Sequence, residues 1–257
     1  MALGSSPQRG LILRWCRTRS PFIRRAFTSR ANRTPPSAAY FADKVDNPAV
    51  TTTPCGISQE QRHALDRALR VDQAGELAAN YIYMGQAAVL GRDPTVGPLI
   101  QASTVSVARS RNTNSRLSRQ TQDMWSQEKK HLEVMNKLQL QHRVRPTLLS
   151  HIARIGGYGL GTITALMGKE AAMACTEAVE TVIGEHYDDQ LKEFENLPES
   201  HPSVPLLKGV IEEFRDDELE HLDVAVENHS QRAPAHALLS TVVGAGCKVA
   251  IELCKRI

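Results

Sequence analysis

Apolar side chains recur with the spacing of an α-helix along most of the chain from Ser58 onward. In the first stretch Leu65, Leu69 and Ile82 fall on one face, and Ser58 stands where a serine caps a helix N-terminus. The same pattern returns later, and the predicted helices cover approximately residues 58–90, 124–142, 204–229 and 234 onward, with a long apolar tract at about 147–190. We therefore predict an all-α chain.

Two stretches of this pattern carry no charge at all. Residues 155–168 are too short to span a bilayer, which needs roughly 20 apolar residues, and they suit a re-entrant or interfacial segment, with a buried core helix as the alternative. Residues 237–247 begin the last predicted helix, whose basic edge of Lys248, Lys255 and Arg256 would either rest on an anionic leaflet or cap the fold. We therefore expect additional apolar, membrane-associating helices.

The first 35 residues have a different composition. Eight arginines precede the first acidic residue, Asp43, with apolar and hydroxyl side chains between them. This is typical of a mitochondrial transit peptide, and a disordered basic tail is the alternative. The whole chain carries a net charge of +3, so removing these eight positive charges leaves −5. A mildly acidic mature protein is not expected to bind nucleic acid.

The cysteines contain no C-x-x-C pair. They are Cys16, Cys55, Cys175, Cys247 and Cys254. The first lies in the predicted leader, and four scattered thiols indicate a reducing compartment such as the mitochondrial matrix. Neither a zinc site nor a disulfide framework is expected.

Two further segments lack helical periodicity. Residues 36–57 contain several prolines among Ser, Thr and Asn, and we predict a flexible linker there. Residues 102–122 are rich in Ser, Thr, Asn and Arg and contain no acidic residue. We predict a disordered insertion, or a retained intron, which the rest of the fold does not need. The domain would then extend over residues 58–257.

The chemistry of the chain centres on two Glu-x-x-His pairs, Glu128 with His131 and Glu218 with His221. Positions i and i+3 share one face of a helix, so each pair directs a carboxylate and an imidazole at one point. A third match, Glu60-Gln-Arg-His, begins the first helix next to the linker, and we interpret it as a chance match on a solvated surface.

A lone glutamate on another predicted helix precedes each pair: Glu76 before the first and Glu180 before the second. This order is the ligand set of a carboxylate-bridged di-iron centre inside a four-helix bundle. Burying four carboxylates without cations would cost several kcal/mol each, so a dinuclear metal site explains them best. Mixed carboxylate and imidazole ligands without thiolate favour iron or manganese over structural zinc.

In the expected geometry Glu128 and Glu218 bridge the two metals, and Glu76 and Glu180 complete the coordination beside one histidine each. A ligating imidazole usually donates its second N–H to a carboxylate or carbonyl. Asp72, one turn before Glu76, is a candidate for this outer position, and a surface acid is the alternative.

Seven collinear motifs resemble the mitochondrial demethoxyubiquinone hydroxylase family of ubiquinone biosynthesis. They are residues 70–76 (RVDQAGE), 85–92 (GQAAVLGR), 124–131 (MWSQEKKH), 143–147 (RVRPT), 168–176 (GKEAAMACT), 178–180 (AVE) and 214–221 (FRDDELEH). The resemblance covers approximately residues 64–257 without the inserted run. It implies a ferritin-like four-helix bundle with six iron ligands: Glu76, Glu128, His131, Glu180, Glu218 and His221.

The resemblance also implies an activity and a location. The enzyme would be an O2-dependent monooxygenase that hydroxylates the ring of a polyprenyl demethoxybenzoquinone, with electrons from NADH. It would lie peripherally on the matrix side of the mitochondrial inner membrane, with a lipid-binding accessory protein and other members of a biosynthetic complex as partners. The apolar stretches would then form the walls of a channel for the polyprenyl tail.

His186 and Tyr187 match a family pair associated with proton or electron relay to the irons, and ordinary packing residues are the alternative. Two other functions stay open for the whole chain. One is ferroxidase activity in a ferritin-like bundle, and the other is a non-enzymatic, membrane-bound scaffold that binds quinone. Metal content and iron mineral formation separate these alternatives from a hydroxylase.

Overall fold

The computed structural model describes residues 34–42, 46–101 and 124–257, and these form α-helices joined by short connections. The α-helices are α1 (Pro48–Thr51), α2 (Gln59–Leu90), α3 (Gly97–Gln101), α4 (Met124–His142), α5 (Ser150–Leu166), α6 (Lys169–Phe194), α7 (Ser203–Glu227) and α8 (His236–Cys254). Short 3₁₀-helices cover Pro36–Phe41 and Ser230–Arg232. The predicted all-α class is confirmed.

The N-terminus of α2 begins where the sequence predicts it. The side chain of Ser58 accepts a hydrogen bond from the backbone N–H of Gln61, and the side chain of Gln61 accepts one from the backbone N–H of Ser58. This reciprocal pair satisfies two of the free N–H groups at the helix start. At the other end Gly91 caps the helix.

Helices α2, α4, α6 and α7 form a ferritin-like four-helix bundle, in which α2 packs mainly on α4 and α6 mainly on α7. Their inward faces share one apolar core. Its largest fully buried side chains include Leu65, Leu69, Met135, Leu138, Tyr187, Phe194, Leu207 and Phe214. Because the long helices run side by side, side chains near the middle of each can meet at one depth in the core.

Helix α5 packs against α2 through glycines. A Cβ added at Gly157 would lie 2.6 Å from the carbonyl oxygen of Ala78, and one at Gly161 would lie closer still to that of Ile82. The opposite face is apolar and open, with Ile152 66 % and Ile155 76 % exposed. The helix is therefore not the buried core helix that the sequence left as an alternative.

The long apolar tract predicted over 147–190 consists of two helices, α5 and α6. The chain turns at Gly168, whose φ of +118° is a conformation that side chains with a Cβ rarely adopt. Helix α6 then starts in a new direction and enters the bundle. The break falls where the charge-free segment 155–168 ends.

Helix α8 lies against α6 and leaves most of its surface open. Leu238, Val242 and Val249 are among its exposed side chains. Within the described ranges it is the helix that is long and apolar enough to cross a membrane by length and composition. Together with α5 it supplies the additional apolar helices that the sequence predicts.

The segment predicted as a flexible linker differs from that expectation, because its described parts pack on the bundle. Residues 36–42 and 46–53, which we call the N-terminal strap, contact both α4 and α7. Ser37 and Tyr40 are buried in this contact. Proline and hydroxyl residues suggested little to bury, but backbone groups and these two side chains find partners on the helices. Residues 1–33 of the predicted leader and the predicted insertion at 102–122 lie outside the described residues.

Candidate metal centre

The two Glu-x-x-His pairs point into the middle of the bundle. Glu128 and His131 lie on α4, Glu218 and His221 lie on α7, and all four side chains are at most 2 % exposed. The spacing of three residues places each carboxylate one turn below its imidazole on the inner face. The exposed match that begins α2 behaves differently, since Glu60 and its histidine both face solvent.

The six predicted ligands meet in two overlapping groups. One group joins Glu76, Glu128, His131 and Glu218, and the other joins Glu128, Glu180, Glu218 and His221. Within each group one nitrogen or oxygen atom per residue lies within 4.8 Å of the others. Because the groups share Glu128 and Glu218, two neighbouring ions could be held with these glutamates between them. Among the described residues these are the groups that could hold a metal.

Both imidazoles present Nδ1 to the carboxylates. The Nδ1 atom of His131 lies 3.2 Å from Glu218 and 3.5 Å from Glu76. The Nδ1 atom of His221 lies 3.1 Å from Glu128 and 3.2 Å from Glu218. Nδ1 is therefore the ligand atom that each ring offers to a metal.

The other ring nitrogen of each histidine has its own partner on the facing helix. Nε2 of His131 lies 3.1 Å from Asp217, and Nε2 of His221 lies 2.7 Å from the side-chain oxygen of Gln127. A donated Nε2–H fixes the tautomer that leaves Nδ1 free for a metal. Sequence reasoning missed these two acceptors, although each stands immediately before the glutamate of a Glu-x-x-His pair.

Asp72 does not take the place that the sequence suggested for it. Its carboxylate accepts a hydrogen bond from Gln190 at 2.7 Å and pairs with His186 at 3.1 Å, so it orients His186 rather than a predicted ligand. It is also not a surface acid, because it is only 2 % exposed. Burial raises the pKa of Asp72, and the contacts with His186 and Gln190 partly offset that rise.

Two tyrosines contact Glu76 and Glu180, the glutamates that each belong to only one ligand group. Tyr187 donates a hydrogen bond to Glu76, and Tyr83 donates one to Glu180 at 2.9 Å. The first was a candidate from the sequence, and the second was missed. Each hydroxyl anchors one oxygen of its carboxylate. The other oxygen of Glu76 has no hydrogen-bond partner among the described residues and is open to a cation.

The buried acids have perturbed protonation equilibria. Burial and the neighbouring Glu218 carboxylate raise the pKa of Glu128 to about 8, and the same two causes raise that of Glu180 well above its usual range. Burial also raises the pKa of Glu218, but the nearby imidazoles of His131 and His221 outweigh this effect and hold the pKa of Glu218 below its ordinary value. Glu128 and Glu180 therefore favour their protonated forms when no cation is near, whereas Glu218 favours its charged form.

Buried polar atoms without hydrogen-bond partners also indicate that these side chains could hold cations. Several buried atoms make no hydrogen bond within the described part of the chain: both carboxylate oxygens of Glu128, Oε2 of Glu76 and Nδ1 of His131. Buried polar atoms are normally satisfied, so four orphaned atoms aimed at one space call for a partner. Carboxylate and imidazole donors suit iron or manganese.

A cavity of about 480 Å³ opens beside this cluster. Apolar and small side chains of α2, α5, α6 and α8 form its walls, and Gly75 widens it next to the cluster. Its polar lining consists mainly of Asp72, Glu76, His186 and Tyr187. The cavity therefore leads from the open apolar helices to one of the two ligand groups.

Comparison with known families decides the relationship. The family model of the ubiquinone biosynthesis protein COQ7 matches residues 63–106 and 103–254. This chain belongs to the COQ7 family. The two matched pieces overlap at residues 103–106, inside the run predicted as an insertion.

Curated relatives carry the same assignment. A Bos taurus protein named NADPH-dependent 3-demethoxyubiquinone 3-hydroxylase, mitochondrial, is 46 % identical over 197 residues, which cover 76 % of this chain and 79 % of the relative. The 5-demethoxyubiquinone hydroxylase, mitochondrial, of Saccharomyces cerevisiae is 41 % identical over 78 % of this chain and 82 % of its own. The 3-demethoxyubiquinol 3-hydroxylase of Rhodospirillum rubrum is 42 % identical over 75 % and 78 %. These COQ7-family relatives are hydroxylases.

Proposed function

We propose that this chain is a di-iron monooxygenase that hydroxylates the ring of demethoxyubiquinone in ubiquinone biosynthesis. The observation that carries the proposal is the pair of overlapping ligand groups at the polar end of an apolar cavity. The names of the relatives support the reaction. A scaffold without catalysis would not need four buried carboxylates, some of whose oxygens have no hydrogen-bond partner. The adjoining cavity offers space for an organic substrate beside them.

The metal ligands in this proposal are the six side chains predicted from the sequence. Glu76 and His131 would hold one iron, Glu180 and His221 would hold the other, and Glu128 and Glu218, which belong to both ligand groups, would contribute to both. When bound, the iron pair supplies the activation of O2 and the transfer of one oxygen atom to the ring. The protein's own task is to position the ring, exclude water and keep the ligands in place.

The cavity defines the substrate class. Its walls are almost entirely apolar, which suits a polyprenyl tail, and its polar residues suit a quinone ring. Tyr187 and the His186–Asp72 pair stand at this end and hold exchangeable protons. We assign to them the movement of protons between the ring and the Glu76 side of the centre.

The outer faces of α5 and α8 give the substrate a route from a membrane. Side chains such as Ile155, Ile163, Leu238 and Val242 are exposed there, and both helices also line the cavity. We propose that this surface rests on the matrix side of the mitochondrial inner membrane as a peripheral attachment. Burial of these residues in lipid would let the tail enter without crossing water.

The electron source and partners extend the proposal further. The sequence resemblance implies NADH, whereas the names of several relatives specify NADPH. We propose a nicotinamide nucleotide as donor, and parallel assays with both forms decide between them. A lipid-binding accessory protein and other members of a ubiquinone-biosynthesis complex would deliver the substrate and receive the product.

The test is reconstitution of the purified protein with Fe(II), followed by metal analysis and product detection by mass spectrometry with a short-chain demethoxyubiquinone. We expect about two irons per chain, since there are two ligand groups, and a product heavier by one oxygen atom. His221→Ala should lose iron and turnover together. Glu60→Ala, in the exposed match, is the control and should lose neither. Full turnover without iron overturns the proposal, and iron mineral without product indicates a ferroxidase instead.

A further inference from the structure

The N-terminal strap binds the bundle through a buried carboxylate. Glu213 of α7 is only 3 % exposed. It accepts hydrogen bonds from the backbone N–H of Ser37 at 2.8 Å and from the Ser37 hydroxyl at 2.7 Å. Lys130 of α4 adds a third contact at 2.6 Å. A carboxylate buried to this extent needs such donors, so the strap completes a site that the two helices leave unfinished.

This clamp lies next to one half of the metal centre. Lys130 directly precedes His131, and Glu213 stands one turn before Asp217, which accepts the Nε2–H of His131. Between them, Phe214 stacks on the His131 ring with centroids 3.9 Å apart. The position of α7 relative to α4 therefore sets both the stacking and the hydrogen bond of this histidine.

The rest of the strap also contacts α4 and α7. The hydroxyl of Tyr40 donates to Gln141 at 2.8 Å, and the Gln141 amide donates to the carbonyl groups of Ala49 and Thr52. On α7, a Cβ added at Gly209 would lie 3.2 Å from the Pro36 ring. The strap thus touches both helices that carry the Glu-x-x-His pairs. The COQ7 family model begins to match at residue 63, beyond the strap.

We propose that the strap is a positioning element, in which Ser37 locks Glu213 and thereby holds His131 in its place between Phe214 and Asp217. The inference rests on the proposed metal centre only for its consequence, which is the affinity of the ion held by His131 and Glu76. Its geometric part concerns the protein without metal. A mature chain that keeps the lock must begin at or before Pro36.

The experiment uses the full chain and three substitutions. Ser37→Pro removes both donors to Glu213, Ser37→Ala removes the hydroxyl alone, and Tyr40→Phe removes a strap contact further along α4. In the metal-free protein, nuclear magnetic resonance of labelled histidine reports the ring protons of His131, whose resonances respond to the stacked Phe214 ring. We expect Ser37→Pro to move them, Ser37→Ala to move them less, and Tyr40→Phe to leave them in place.

Titration with Co(II) then tests the consequence for metal binding. Ser37→Pro should weaken one of two sites by about tenfold, in the range of lost outer contacts, while Tyr40→Phe binds as the parent does. An unmoved His131 resonance in Ser37→Pro, or an equal movement in Tyr40→Phe, overturns the positioning role. If no protein binds Co(II), the proposed metal centre fails while the His131 resonances still decide the role of the strap. A mature N-terminus after Ser37, found by sequencing, also overturns it.

Discussion

The hydroxyl of Tyr83 lies 2.9 Å from the Glu180 carboxylate and donates a hydrogen bond to it across the bundle. Tyr187 does the same for Glu76. Each tyrosine follows the glutamate of its own helix by seven residues and serves the glutamate of the other helix. Helices α2 and α6 therefore exchange equivalent contacts, and the two halves of the centre are built to one pattern.

Replacing Tyr83 and Tyr187 one at a time should distinguish a tyrosine that only holds a glutamate in place from one that also takes part in catalysis. Tyr83→Phe and Tyr187→Phe each remove one hydrogen bond to a buried carboxyl group, so each should lower the free energy of unfolding of the metal-free protein by about 1–2 kcal/mol. Of these two tyrosines, Tyr187 lines the cavity and Tyr83 does not. We expect turnover to fall by about 100-fold in Tyr187→Phe, the scale of a lost proton-transfer group, and far less in Tyr83→Phe.

Urea unfolding and steady-state assays on iron-loaded protein measure the two effects. Each variant is the matched control of the other, because both remove one phenol oxygen at equivalent positions. Equal losses of turnover in the two variants would mean that Tyr187 contributes only support to Glu76.

The repeated spacing explains why the residues that meet in the candidate metal centre could be predicted from the sequence. Ten residues after Glu76 and ten after Glu180 stands a glutamine whose side chain also reaches the other helix. Gln190 donates a hydrogen bond to Asp72, and Gln86 donates one to Thr176. Periodicity identifies the inward-facing positions of one helix at a time. That is sufficient to predict a glutamate and a histidine that lie one turn apart on the same helix. The choice of cross-helix partner depends on how the helices are aligned, which no single stretch encodes.

The same reasoning accounts for the error at Asp72. One turn before Glu76 is a sensible place for an outer carboxylate, yet the side chain faces His186 of α6 instead of a ligand. The equivalent positions in the other half hold Thr176 and Ile82, so this acid–imidazole pair occurs once in the repeat. It stands on the cavity side of the centre, where a substrate proton would be handled.

The outer acceptors of the histidines should control metal affinity. Asp217→Ala leaves Nε2 of His131 without its acceptor, and the metal held by that ring should bind 10- to 100-fold more weakly, roughly the effect of losing such a partner. Gln127→Ala should do the same for the ion held by His221. Calorimetric titration of metal-free protein with Co(II) measures both affinities.

Asp217→Asn provides the control for this prediction. An amide oxygen at the same position can still accept the Nε2–H, so the variant should recover most of the affinity lost in Asp217→Ala. Unchanged affinity in Asp217→Ala would show that the tautomer of His131 is fixed without this contact.

The contact between α2 and α5 should tolerate no added methyl group. In Gly161→Ala the new Cβ would meet the Ile82 carbonyl at less than any normal contact distance. The helices would have to separate, and we expect a loss of about 1–3 kcal/mol in the free energy of unfolding. Gly159→Ala on the same helix meets no atom within 4 Å. It should be neutral or stabilising by up to about 1 kcal/mol, because alanine favours a helix.

Thermal and urea unfolding in detergent compare these two glycine variants with the parent. Because α5 also lines the cavity, separation of the helices should weaken binding of a quinone analogue in Gly161→Ala alone. Similar stability in the two variants would contradict the tight contact.

A buried histidine outside the metal centre should make the stability depend on pH. His142 is 1 % exposed, and burial together with the positive charges of Arg62 and His201 lowers its pKa from 6.5 to about 4. Between these two values the unfolded chain binds a proton that the folded protein refuses, so the folded state loses stability as the pH falls. From pH 7 to pH 5 this loss amounts to about 2 kcal/mol.

The pH dependence can be assigned to this residue by substitution. His142→Gln keeps a side chain that can bond the Thr53 hydroxyl, now 2.9 Å from Nδ1 of His142, but it cannot take up a proton. We expect urea unfolding of the metal-free variant to lose about 2 kcal/mol less than the parent between pH 7 and pH 5. His63→Gln, at an exposed position, is the control and should keep the parent's slope. If the slope persists in His142→Gln, the acid sensitivity arises from other groups, and His142 must then accept its proton inside the folded protein.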